Sequence, residues 1–104
     1  MLDSTLVVVA TEFGRKPDFS GDGRSHHPVC FSTVLAGGGT KAGFVYGKSD
    51  DAGYYPEDDA VSVGAFHASI AYAAGMDIEK PATSPSGRPM TVGDGEEPIL
   101  ELFT

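Results

Sequence analysis

The sequence holds a single cysteine, Cys30, no tryptophan, and seven basic residues against fifteen acidic ones. One cysteine excludes an intramolecular disulfide framework, and Cys30 sits within an apolar run at 29–36, where a small hydrophobe is expected. The shortage of basic residues leaves a formal net charge of −8 at pH 7, which repels the phosphates of nucleic acid and the anionic surface of a membrane. Neither is expected as a partner. Long apolar runs are missing too. The opening MLDSTLVVVA carries an acidic residue where a signal peptide has a basic region, and its apolar stretch is too short for an h-region or a membrane span, so neither export signal nor transmembrane segment is expected. No CxxC or HxxxH spacing occurs. The AGGG stretch at 36–39 lacks the Lys-Ser/Thr and the following helix of a phosphate loop, with Lys41 at the wrong spacing. Ser25 beside His26 lacks the third orienting group of a nucleophile and its base, so no catalytic nucleophile is assigned.

What remains is one domain's worth of chain, 104 residues of which 40% are hydrophobic. Residues 5–10 (TLVVVA) form a continuous β-branched run, the pattern of a strand covered on both faces. A second run at 30–36 ends in three glycines, and 44–46 (FVY) follow, which predicts a hairpin or a strand with a sharp exit. Residues 47–59 are turn-rich and acidic and read as a surface loop. Ser62 is placed to cap a helix with Val63, Phe66, Ile70, Ala73 and Ala74 on one stripe and Gly75 at its end. Residues 78–97, punctuated by prolines and glycines, read as an irregular connection to a last apolar run at 99–103. Two doubly covered strands need layers that one helix cannot provide, so the chain reads as part of a larger α/β domain.

Charge is crowded between the two apolar runs, in a loop carrying Glu12, Arg15, Asp18, Asp22, Arg24, His26 and His27. Loops held between buried strands are where folds place binding groups. Carboxylate and imidazole together suit zinc or manganese, whereas magnesium favours oxygen alone. Glu12 follows the first run and His26 and His27 precede the second, so adjacent strands would bring them together. Adjacent histidines cannot both aim at one point from extended backbone, so at most one is a ligand. Arg15 and Arg24 either bind an oxyanion through their planar forks or pair with Asp18 and Asp22. His67 falls at the edge of the helical stripe and reads as a boundary residue, and Tyr54 and Tyr55 beside Pro56 read as loop packing.

Four stretches in order, TLVVVATEFGRKP, GRSHHPVCFSTVLAGGGTKAGFVYGKSDDAGY, VSVGAFHASIAYAAGMD and GEEPILELF, together resemble the C-terminal part of bacterial sulfatase-like proteins carrying the domain of unknown function 1501, of the alkaline phosphatase superfamily. The resemblance covers nearly the whole chain. It implies an α/β fold, here a partial three-layer α/β/α sandwich of the alkaline phosphatase type, with a mixed sheet of few strands and one main helix. It also implies that 1–104 is a single domain or a C-terminal fragment of a larger one, and that the complete protein is a metal-dependent hydrolase of phosphate or sulfate esters. Glu12-Phe13-Gly14 resembles the place where active relatives carry an Asp-His-Gly metal motif, with the carboxylate kept and Phe13 in place of an imidazole. His26, rather than His27, resembles the later metal-binding histidine. The metal ligands expected are therefore Glu12 and His26, for zinc, manganese or magnesium held weakly, and the anion contacts Arg15 and Arg24. The alternative is a small non-catalytic binding or assembly module on the same scaffold. Uncovered sheet surface predicts a homo-oligomer, in its simplest form a two-fold dimer.

Overall fold

In the computed structural model, residues 1–18 and 24–104 are described. The β-branched run near the N-terminus forms β1 (Leu6–Val9), which pairs antiparallel with β4 (Val34–Gly37) in the register Leu6↔Gly37, Val7↔Ala36, Val8↔Leu35 and Val9↔Val34. These are the neighbouring strands that the two apolar runs predicted. β4 ends because Gly37, Gly38 and Gly39 all take positive φ, and a Cβ on Gly37 would run into the backbone oxygens of Leu2 and Thr5. The chain then bridges Thr40 to Phe103, with the Lys41 amide donating to the Leu102 carbonyl at 2.8 Å. The partner of the second run is thus β1, and 44–46 form no strand.

Burial in this ladder alternates. Leu6, Val8 and Leu35 are half-buried, while Val7, Val9 and Val34 on the other face are 45%, 61% and 57% exposed. Cover on both faces was expected; one face is half-covered and the other is open. The chain as a whole exposes 7562 Å² at a mass of 10.8 kDa. A self-contained domain of that mass exposes roughly 5,500 Å².

Between β1 and β4 lie two short strands, β2 (Gly14–Arg15) and β3 (His26–His27), paired antiparallel with each other. The acidic stretch expected as a plain loop is a hairpin: β5 (Lys48–Ser49) pairs with β6 (Pro56–Asp58) across an irregular register, and Lys48 lies 3.9 Å from Glu57. The proline-rich connection holds a smaller hairpin, β7 (Ala82–Thr83) with β8 (Pro89–Met90). The apolar run at 99–103 makes a 3-10 turn, Leu100–Leu102.

The helix α1 (Val63–Ala73) begins and ends as predicted. The Ser62 hydroxyl accepts from the Ala65 amide at 3.0 Å, and Gly75, at φ +81°, lets the amides of Gly75 and Met76 bond back to Tyr72 and Ala71. Its buried face is another matter. Val63 is 70% exposed, whereas Ala68, Ser69 and Ala71 are buried. Small residues win because backbone meets backbone here: a Cβ on Gly64 would stand 2.5 Å from the Gly93 carbonyl oxygen. Ser69 completes the contact, donating to the Ala65 carbonyl at 2.8 Å and accepting from the Ile99 amide at 2.9 Å. Beside it, the rings of Tyr72 and Phe103 are 5.3 Å apart.

The architecture among the described residues is therefore mixed α/β, with one helix and four separate two-stranded antiparallel ladders where a single mixed sheet was expected.

Candidate functional site

The EFGR and SHHP segments meet in the β2/β3 hairpin, where Gly14 faces His27 and Arg15 faces His26. Gly14 is required by space alone: a Cβ there would lie 2.6 Å from the Phe31 Cβ and 3.1 Å from the Cys30 carbonyl oxygen. Cys30 is half-buried behind it. The hairpin is fastened by the Lys16 amide, donating to the Ser25 carbonyl at 2.9 Å, and by Arg15, whose Nη1 donates to the Arg24 carbonyl at 2.8 Å. Thr11 braces the approach to β2 through a 2.7 Å bond from its hydroxyl to the Phe13 carbonyl.

Glu12, Arg15, Arg24 and His26 are all exposed, and all belong to this hairpin or its immediate approach. The Phe13 ring, next in sequence to Glu12, stacks on the His26 imidazole at 3.9 Å between centroids and 23° between planes. The Arg15 guanidinium stands 6.0 Å from the centroid of the same phenyl ring. Residues 11–15 line an open hollow of about 490 Å³.

The two adjacent histidines have separate environments. His26 is exposed, whereas His27 is 5% exposed and meets the edge of the Tyr54 ring, with centroids 5.5 Å apart. Its Nε2 lies 2.6 Å from the Tyr54 carbonyl oxygen. A carbonyl only accepts, so Nε2 carries the proton. Tyr54 also donates its hydroxyl to Asp18 Oδ1 at 2.5 Å. That bond, followed by the backbone and the Lys16 and His27 charges, holds the Asp18 carboxyl below its ordinary range, and the same acceptor pushes the Tyr54 phenol up. Asp18 is thereby engaged with Tyr54, and pairing of the arginines with Asp22 lies outside the described residues.

Of the two metal ligands expected, Glu12 lies exposed just before β2 and His26 exposed in β3. Among the described residues no group of three or more histidine, cysteine or carboxylate side chains converges as a metal site. Two ligands alone would be half of what a four-coordinate ion requires. His67 is exposed on α1, its ring centroid 6.1 Å from that of Phe66, away from the hairpin in the chain and outside this donor pair.

Two participants carry no local signal in the sequence. Tyr54 stands 36 residues from Asp18, and the stacking role of Phe13 depends on a ladder register that a two-residue strand does not announce.

Residues 1–103 match the model of a family described as "Protein of unknown function (DUF1501)". No curated protein and no solved structure matches the chain. The chain belongs to the DUF1501 family.

Proposed function

We propose that this chain supplies part of a sulfatase-like site of the alkaline phosphatase superfamily, in a partial three-layer α/β/α framework, and that it is no catalyst by itself. What carries the proposal is the β2/β3 register, which brings the EFGR and SHHP segments side by side with Phe13 stacked on the exposed His26. Arg15 and Arg24 face the oxyanion of a small phosphate or sulfate ester and hold it through their guanidinium forks. Glu12 and His26 are the ligands this chain would offer to zinc, manganese or magnesium. Such a metal, when bound, supplies Lewis-acid polarisation of an ester oxygen. The chain's own part is to orient the anion, and no nucleophile is assigned to it. The uncovered valines of the β1/β4 ladder and the large exposed area support a homodimer in solution.

A second reading, a non-catalytic binding module, is favoured by Phe13: a phenyl ring stands where the resemblance implies an imidazole. Hydrolysis assays on aryl phosphate and aryl sulfate esters with each added metal separate the two from a complete enzyme. We expect no turnover by the chain alone. Turnover that Glu12→Ala abolishes would overturn the half-site.

A further inference from the structure

We infer that Tyr54 is the positioning residue of the β2/β3 hairpin, a clasp at the turn of the β5/β6 hairpin that grips both limbs of the other. The turn is itself pre-shaped. Asp50 caps it, with Oδ1 accepting from the Tyr54 amide at 2.9 Å, its carbonyl accepting from Gly53 at 3.0 Å and its amide donating to Tyr55 at 2.8 Å. From that frame Tyr54 reaches one limb through its hydroxyl, to Asp18 beyond the end of β2, and the other through its carbonyl, to His27 in β3. The turn also lies close against the same limb, since a Cβ on Gly53 would stand 3.4 Å from the Pro17 ring.

The two grips act on opposite ends of one short ladder. Two strands of two residues each cannot hold their own register, because a hairpin with so few cross-strand bonds is marginal in water. Fixing His27 fixes the backbone of its neighbour His26, and fixing Asp18 fixes the limb that runs back to Arg15. The consequence is that the Phe13–His26 stack and the Arg15–Arg24 bond exist as one arrangement rather than several. The clasp stands on its own geometry, and its bearing on ligand binding rests on the anion-facing role proposed for the hairpin.

The test uses the whole chain and nuclear magnetic resonance. Tyr54→Phe removes the hydroxyl and leaves the carbonyl bond to His27. We expect the Lys16 amide to exchange about tenfold faster, and the His26 ring protons to lose part of the shift that the Phe13 ring imposes, while the β1/β4 amides keep their rates. Asp18→Ala should give the same change, the double variant no more than either alone, and Asp18→Asn, which keeps an acceptor without the charge, should recover part of the native protection. Unchanged Lys16 exchange and His26 shifts in Tyr54→Phe, or additive effects in the double variant, would overturn the clasp. If the variants fail to fold, the unaltered chain still decides. The Tyr54 Cζ signal should then respond to acid as the Asp18 carboxyl titrates, with Lys16 and His27 the basic groups facing that carboxyl and Tyr55 the other titratable neighbour of the phenol. A Cζ signal indifferent to acid overturns the clasp as well. Inorganic sulfate added to the unaltered chain tests the anion role separately: without shifts at Arg15 and His26 that role fails, whatever the exchange rates show.

Discussion

His26 and Phe13 stack face to face, 3.9 Å between centroids, across the start of a ladder only two residue pairs long. A phenyl ring occupying one face of the imidazole limits the directions from which a ligand can approach its nitrogens. It also covers apolar ring surface that an exposed hairpin would otherwise give to water. The pair therefore makes a defined surface out of side chains that sequence alone places in a loop.

The Tyr54–Asp18 bond predicts a particular dependence of stability on pH. Asp18 is lowered from its ordinary 3.8, so its contribution is present above that value and lost as pH falls through the lowered one. Tyr54 is raised from its ordinary 10.0, so its contribution is present below that value and lost as pH rises through the raised one. The difference in denaturation free energy between the native chain and Tyr54→Phe should be flat from about pH 5 to 9 and shrink outside it. Urea titrations across that range measure it, and a difference that peaks in acid would contradict the assignment.

Gly14→Ala should cost about 1–3 kcal/mol, because the new methyl would meet the Phe31 Cβ at 2.6 Å and neither atom can rotate away. Phe31→Ala keeps that Cβ and should not relieve the clash, whereas Phe31→Gly should. Denaturation midpoints of the three combinations give the answer.

On the helix, Gly64→Ala pits two effects against each other. Helix propensity favours alanine by about 1 kcal/mol, while overpacking against Gly93 and Glu96 costs about 1–3 kcal/mol, so the net change should be destabilising. Ser69→Ala should also destabilise, by about 1–3 kcal/mol, since it leaves the buried Ile99 amide without its acceptor. Thermal melts of both variants check the signs.

These contrasts show where the sequence was legible. The limits of α1 were, because Ser62 and Gly75 are local signals that act within one turn. Its buried face was not: large apolar side chains suggested Val63, yet the close approach of Gly93 selects the side with no bulk. The β1/β4 pairing followed from two β-branched runs, but β5/β6 and β7/β8 did not, since strands such as Pro56–Asp58 carry no alternation and owe their pairing to the turns between them. At the candidate site, the closeness of the EFGR and SHHP segments was readable from the order of runs and loops. The burial of His27 was not, because it is set by Tyr54, far along the chain.

Self-association has its own test. Val7, Val9 and Val34 leave one face of the ladder to water, and a standard interface covers roughly 800 Å² on each partner. The net charge of −8 opposes assembly only over a screening length of about 8 Å at physiological salt. Sedimentation at micromolar concentration should show a dimer, which Val9→Lys and Val34→Lys each dissociate. A monomeric native chain would contradict this.

Zinc calorimetry on the native chain, Glu12→Ala and His26→Ala tests the half-site most directly. Two protein ligands leave the other positions to water, so binding should be weak, with Kd on the order of 0.1 mM, and each substitution should abolish it. Nanomolar binding by the native chain, or binding that survives both substitutions, would contradict the account.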